Sequence, residues 1–338
     1  MYDVLALGIE TSCDDSCVAV VDGEKKVLAS VVSSQVDFHR QFGGVVPEVA
    51  ARKHLEFLLP VLDKALCKAR VDVRDIDLVA VTRGPGLLGS LLMGMCLAKV
   101  IAITCGKPLV GVNHLEGHLF AVLLDYPEVV PPFLCLLVSG GHTELVAVED
   151  WGVYRLLGRT RDDAAGEAYD KVAKVLGLGY PGGVIIDRLS RKGDPARFFF
   201  RGGLEYEDTL DFSFSGLKTA VIRTFSGFSE KQREDPQVLA DLVASFQESV
   251  VRILIKKTIR AMESTGYRQV VVGGGVAANS YLRQKMQEEA EKRGFRVYFP
   301  SLSFCTDNGA MIAVCGLYHF LCGQRDSLSI EPEPQLSL

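Results

Sequence analysis

The sequence has no CxxC pair, no run of lysine or arginine, and no basic stretch ahead of its first apolar run. Each shortage narrows the reading. Nine cysteines lie at scattered positions, an odd number, with Cys13, Cys96, Cys135 and Cys315 inside apolar runs. That pattern points to reduced thiols in the cytoplasm, not to a disulfide framework. Cys13 and Cys17 are four apart in what reads as a hairpin, and are expected as buried thiols. A formal charge of −5 leaves no global basic field, so contact with nucleic acid needs a local patch or a partner. The opening MYDVLALGIETS has acids, Asp3 and Glu10, flanking its apolar run, which does not fit a signal peptide.

What is present is an ordinary globular composition, 48% apolar and 23% charged. A chain of 338 residues exceeds one compact core and suits two domains or lobes. The longest apolar stretch, GLLGSLLMGMCLAKVIAITCG (86–106), is glycine-dense and carries Lys99. It is expected as a buried core helix, not a membrane span.

Two stretches look alike. Residues 5–30 and 133–159 each run strand, turn, strand, turn, strand, with TSCDD in the first turn of one and SGGH in the other. Helical patterns follow at 47–66 and 165–178. Residues 75–86 read as a buried strand breaking into a glycine turn before an apolar helix. YRQVVVGGGVAANSYL (267–282) repeats that order, and KPLVGVN (107–113) and FRVYFP (295–300) are short matching strands. The duplication predicts an α/β chain of the actin-like ATPase architecture, two ribonuclease-H-like lobes around a nucleotide cleft. Two ordinary α/β domains with coincidental meanders are the alternative. The expected division is 1–128, carrying the histidines and a partner surface, and 129–338, carrying nucleotide contacts and Asp307, with the last helix packing back on the first lobe. Glycine-rich turns would present backbone N–H groups to phosphates at Ser12 to Asp15 and at Val138 to His142, with Gly273, Gly274 and Gly275 near the adenosine end.

NHLEGHLF (113–120) sets His114 and His118 four apart in a helical pattern, about 6 Å from each other on one face, the spacing of two imidazoles on one metal. A zinc peptidase needs its glutamate directly after the first histidine. Glu116 is instead two residues from each, about 200° round a helix, and cannot be the base of such a site. A third ligand is needed. In FCTDNGAMIAV (304–314), Asp307 is either that ligand or a plain helix cap. Asp163, Glu167, Asp170 and Lys171 sit in DDAAGEAYDK (162–171) on an amphipathic helix, where i,i+4 pairing or a ribose contact both fit. DFSFSGLKTA (211–220) alternates aromatics with serines and opens a helix at Gly216. It reads equally as buried strand and cap or as a substrate loop.

GIETSCDD, GGVVPEVAARKH, GPGLLGSLLMG, NHLEGH, LLVSGGHTEL, DDAAGEAYDKVAKVLGLGYPGG, DFSFSGLKTA, GGGVAANSYLR and FCTDNGAMIA run in that order over nearly the whole chain. Together they resemble the universal tRNA threonylcarbamoyladenosine transferase family, once called glycoprotease or O-sialoglycoprotein endopeptidase, in its bacterial branch. The resemblance implies transfer of the threonylcarbamoyl group from threonylcarbamoyl-adenylate to the exocyclic amine of the adenosine next to the anticodon, in tRNAs reading codons that begin with A. It implies one divalent metal, iron or zinc, on His114, His118 and Asp307. It implies nucleotide contacts at Leu137, Val138, Ser139, Gly140, Gly141, Asp170, Gly183, Asp187 and Asn279.

The chemistry assigns tasks. The adenylate is a mixed anhydride with AMP as a good leaving group, whereas the adenine amine is a poor nucleophile because its lone pair is delocalised. The protein must position the amine, polarise the carbamoyl oxygen and stabilise the departing phosphate. Asp14 or Asp15 would accept the amine proton. Relatives often carry glutamate where Asp15 stands, and Asn113 stands where some carry another histidine, a change expected to be neutral. The resemblance further implies partners: tRNA, a paralogous actin-like subunit and a small P-loop ATPase; an exposed helical face at 47–70 is the expected contact for the paralogue. The chain has no Walker A motif, so ATP hydrolysis is expected of that ATPase; no membrane is involved, and a homodimer is compatible. The rival readings are a small-molecule kinase of the same fold, a metallopeptidase, and a scaffold or chaperone-like ATPase. A kinase needs no paired histidines, the H-x-E-x-H order undercuts the peptidase, and a scaffold ATPase does not explain His114, His118 and Asp307 together.

Overall fold

A computed structural model describes residues 4–338. The chain forms two compact units: one runs to Val129 and takes in Pro300–Leu338, and the other is Val130–Phe299.

In the first unit, β1 (Leu5–Glu10), β2 (Asp15–Asp22) and β3 (Val27–Ser34) form an antiparallel meander, and β4 (Leu78–Gly84) and β5 (Leu109–Asn113) join parallel on the far side of β1, in the order β3-β2-β1-β4-β5. All six residues of β1 are buried, as suits a central strand covered on both faces. Alternation divides them. Leu5, Leu7 and Ile9 join Val18, Val20 and Val81 in a core closed by Leu58, Val61, Met95 and Ala98 from the helices Pro47–Ala69 and Leu88–Cys105. The opposite face takes the helix Gly309–Leu321. That helix comes so close that a Cβ on Gly8 would stand 2.0 Å from the Gly309 carbonyl oxygen, so only glycine fits there.

The apolar stretch at 86–106 is not buried all round. Its helix covers Leu91, Met95 and Ala98, but leaves Leu88, Leu92, Val100 and Ile103 in solvent. It is long and apolar enough to cross a membrane by length and composition alone. Its buried face belongs to the core of this unit.

The second unit repeats the plan. β6 (Phe133–Val138), β7 (Thr143–Asp150) and β8 (Val153–Arg159) are antiparallel, β9 (Gln269–Gly273) and β10 (Arg296–Tyr298) are parallel additions, and the order is β10-β9-β6-β7-β8. The sheet order and the sense of every pairing match the first unit. The duplication read from the sequence is therefore a duplication of topology.

Two expectations are corrected. The second unit ends at Phe299, so Asp307 lies in the first unit with both histidines, not opposite them. The reason is the helix Gly309–Leu321, whose residues 309–317 are all buried as part of the first unit. The acidic helix begins at Ala165, not before Asp163. Asp163 precedes it and binds Lys171 at 2.7 Å and Lys218 at 2.8 Å, while Glu167 and Lys171 do pair one turn apart, at 2.7 Å.

Candidate functional site

The first cluster is built on two helix starts within the first unit. β5 ends at Asn113, whose side chain accepts hydrogen bonds from the backbone N–H of Leu115 at 2.8 Å and Glu116 at 3.4 Å. Asn113 is thus the cap that turns strand into helix His114–Phe120. The second start is capped by Asn308, which accepts from Met311 N at 2.9 Å. The sequence left Asp307 open as cap or ligand, and the residue that caps this helix is Asn308.

His114, His118 and Asp307 bring one ligand atom each to within 4.8 Å of one another. Asp307 Oδ1 is 3.2 Å from His118 Nε2 and 3.6 Å from His114 Nε2, and the two rings meet edge to face with centroids 4.8 Å apart. Despite the 3.2 Å approach, neither ring nitrogen of the buried His118 makes a hydrogen bond. The atoms converge on a shared point more than on each other. A buried imidazole with no partner costs free energy unless something fills that point. The donor set of two imidazoles and a carboxylate fits a divalent transition metal.

Glu10, buried at the end of β1, orients the set. Its Oε2 lies 2.9 Å from His114 Nδ1, and Ser12 Oγ is 3.2 Å from the same nitrogen. That leaves Nε2 directed at Asp307, the arrangement of a ligating histidine held by an outer carboxylate. Burial lowers the His114 pKa, but the charges of Glu10 and Asp307 and the Glu10 hydrogen bond raise it to about 9. In the metal-free state the imidazole therefore holds a proton that a metal would displace. The sequence alone assigned no such role to Glu10, and placed Ser12 only in a phosphate-binding turn. The available signal was a lone carboxylate closing a fully apolar strand, LALGIE, where a charge is costly without a partner.

Asp14 and Asp15 stand in the same unit, at the turn into β2. Burial, opposed by a hydrogen bond from Ser34 and aided by the charge of Asp14, pushes the Asp15 carboxyl up to about 7. Its Oδ1 is buried without a partner. Asp14 is also raised, chiefly by burial. Of the hairpin thiols, Cys17 is buried but Cys13 is only half-buried.

Glu116 belongs elsewhere. Its Oε2 is 2.9 Å from His319 Nε2, in a second group with Cys315. It is not among the metal donors of the first group, in keeping with the residue order that excluded a peptidase.

In the second unit, β6 delivers Leu137 and Val138, both buried, into the turn Ser139–Gly140–Gly141. Ser139 ties that turn, its N–H donating to His142 O at 2.8 Å and its Oγ accepting from His142 N at 3.1 Å. A side chain on Gly140, Gly141 or Gly183 would meet nothing within 4 Å, so their backbones are open to approach. Gly274 has φ +90°, and a Cβ there would stand 2.4 Å from Val138 O; it brings the turn after β9 against the turn after β6. Gly141 lines a cavity of about 520 Å³ with His142, Arg159 and Arg161. A second cavity, about 980 Å³ between the helices Pro236–Thr265 and Ser280–Arg293, contains none of the predicted contacts.

Three predicted contacts carry structural duties. Asp170 Oδ1 accepts from Gly182 N at 2.7 Å and so fixes the next helix start. Asp187 binds Ser280 Oγ at 2.9 Å and Arg191 at 3.0 Å. Asn279 caps the helix Ser280–Arg293 through Leu282 N at 2.9 Å and donates to Gln247 at 2.8 Å. Phe212 and Phe214 of the aromatic–serine stretch are fully buried, and a helix opens after them at Ser215.

A family model described as TsaD, tRNA N6-adenosine threonylcarbamoyltransferase, matches residues 26–314. A relative of that name from Gloeobacter violaceus is 53% identical, the match covering 98% of this chain and 94% of the relative. One from Thermodesulfovibrio yellowstonii is 52% identical over 99% of this chain and all of its own length. Among solved structures, full-length HypF in its phosphate- and nucleotide-bound form is similar over 96% of this chain and 56% of its own, with a TM-score of 0.63 at 14% identity. At that identity the likeness concerns the fold, the actin-like ATPase fold.

Proposed function

The chain belongs to the tRNA N6-adenosine threonylcarbamoyltransferase family, and we propose that it takes the threonylcarbamoyl group from threonylcarbamoyl-adenylate, places it on the exocyclic amine of the adenosine beside the anticodon, and releases AMP. The tRNAs are those reading codons that begin with A. The observation that carries the reading, within a chain of this family, is the buried and unpartnered His118 ring beside Asp307 and the Glu10-held His114.

His114, His118 and Asp307 would hold one divalent ion of the iron or zinc kind. Three protein ligands leave positions open, and the ion would there supply Lewis acidity to a phosphoryl or carbonyl oxygen. The remaining tasks fall to the chain itself. Asp15 has a carboxyl near 7, basic enough at neutral pH to accept the proton that the attacking amine must lose. In the second unit, the open backbone at Gly140, Gly141 and Gly183 would donate to the adenylate phosphate. Asp170 and Asp187 lie within helices of that unit and Asn279 caps a third; they would contact ribose and base from there, each while keeping its own hydrogen bonds.

The nine free thiols support a reducing compartment, the cytoplasm. The net charge of −5 supports help from partners in holding tRNA. On the first unit, Leu55 and Leu59 of one helix and Val100 and Ile103 of the next are each more than half exposed. Such an apolar face fits a docked protein better than bare solvent, and the paralogous actin-like subunit is its proposed occupant. The small P-loop ATPase would complete the assembly.

The test supplies the metal-loaded protein and its partner subunits with unmodified tRNA and threonylcarbamoyl-adenylate. The expected product is threonylcarbamoylated adenosine with one AMP per transfer. No transfer under any metal condition would overturn the reading.

A further inference from the structure

Glu116 lost its place in the first metal set, yet it is not idle. It sits on helix His114–Phe120, with its Oε2 2.9 Å from Nε2 of His319 on the helix Gly309–Leu321. Cys315 lies one turn before His319 on that same helix. The carboxylate, thiol and imidazole each offer a ligand atom, all within 4.8 Å of one another. Glu116 is 7% exposed and Cys315 fully buried, while the His319 side chain keeps 19% exposure at the edge. We propose that Glu116, Cys315 and His319 form a second divalent-metal site of the zinc class, separate from the set made by His114, His118 and Asp307.

Charge, chemistry and geometry agree. Thiolate plus carboxylate exactly balances a divalent cation, so the occupied cluster is neutral in a buried place where an uncompensated charge is costly. Thiolate with imidazole selects zinc among common divalent ions, and C-x-x-x-H on a helix puts both on one face. In a tetrahedral zinc site neighbouring N and O ligands stand roughly 3.3 Å apart, so the Glu116–His319 pair at 2.9 Å needs to open only slightly. Without metal the thiol stays protonated, because burial and the nearby Glu116 carboxylate hold its pKa well above the ordinary thiol value. On binding, the Cys315 thiol proton leaves to solvent as the metal–sulfur bond forms. His319, whose Nε2–H donates to Glu116 without metal, gives up that proton to solvent, takes one on Nδ1, and binds through the freed Nε2 lone pair. The partly exposed side of His319 leaves the fourth position to water. Such a site would clip the helix of two first-set ligands to the helix that follows the third.

Cobalt(II) tests this, because only a thiolate ligand gives a sulfur-to-cobalt charge-transfer band in the near ultraviolet, and the first set has no thiolate. Titrating the full chain, the expected result is two cobalt ions per chain and such a band. In Cys315→Ser the band should vanish and one ion should remain. In His319→Ala, a less buried change, the band should be lost or weakened at least tenfold in affinity. In Asp307→Ala the band should persist, and cobalt should still raise the Tm. Absence of the band in the wild-type protein would overturn the proposal. So would its persistence in Cys315→Ser, which would assign it to another thiol. None of these readouts requires transfer activity, so they stand or fall apart from the proposed reaction.

Discussion

Glu10 Oε2 lies 2.9 Å from His114 Nδ1, with both side chains buried. This pair fixes which imidazole nitrogen is left for a metal, and it joins the end of the first strand to a residue more than a hundred positions away. Glu10→Gln keeps the shape and removes the charge. Metal affinity should fall about 10- to 100-fold, read by competition with a chelator of known affinity. Unchanged affinity would show that His114 needs no outer carboxylate.

His114→Ala and His118→Ala should each lose metal at the first site and transfer activity together. The informative comparison is stability without metal. His118 has no hydrogen bond to lose, whereas His114→Ala leaves the buried Glu10 carboxylate with only the Ser12 N–H and Thr82 hydroxyl and no cationic partner, and should be the more destabilising of the two. Chemical denaturation of the stripped proteins measures it. Equal losses would argue against a hidden vacancy of partners around His118.

Asn308 and Asp307 are neighbours with separate tasks. Asn308→Ala removes the cap on Met311 N and should cost about 1–2 kcal/mol of stability whether or not metal is present. Asp307→Ala should leave the Asn308 cap in place and abolish metal binding at that site. If the two substitutions behaved alike, the division between cap and ligand would be wrong.

Asp15 gives a pH signature. Its carboxyl is pushed from the ordinary 3.8 up to about 7, so between those values the folded chain binds a proton that the unfolded chain has released. Its contribution to stability is therefore fully present below about 4 and is lost as pH rises through 7. The total effect is on the order of 4 kcal/mol at most. In the metal-stripped protein, Asp15→Asn should flatten that slope and stand more stable than the parent at pH 8, while transfer falls. A parent whose stability does not decline between pH 5 and 8 relative to Asp15→Asn would refute the raised value.

The exposed Leu59 and Ile103, at 62% and 61% exposure, should tolerate charge. Leu59→Asp with Ile103→Asp is expected to leave folding and metal content intact, and to cut association with the paralogous subunit at least tenfold in a binding titration. Undiminished association would place that partner on another surface.

Local pattern was enough for much of this protein. Alternating apolar residues set the strands, glycine turns set their ends, and the two meanders announced the duplicated topology, because period and turn chemistry act over a few residues. The His114–His118 spacing and the misplacement of Glu116 for a peptidase also followed from helix geometry alone. Other features depended on distant packing. Asp307 lies 189 positions beyond His118 in sequence, and it reaches the histidines because the glycine contact of Gly8 with Gly309 lets the last long helix settle on the first sheet. That same docking placed Asp307 in the histidines' own unit, gave Asn308 the cap, and set Cys315 and His319 against Glu116. Spacing along the chain fixes which side chains share a face, but only the burial of an apolar helix against a particular sheet decides which faces meet.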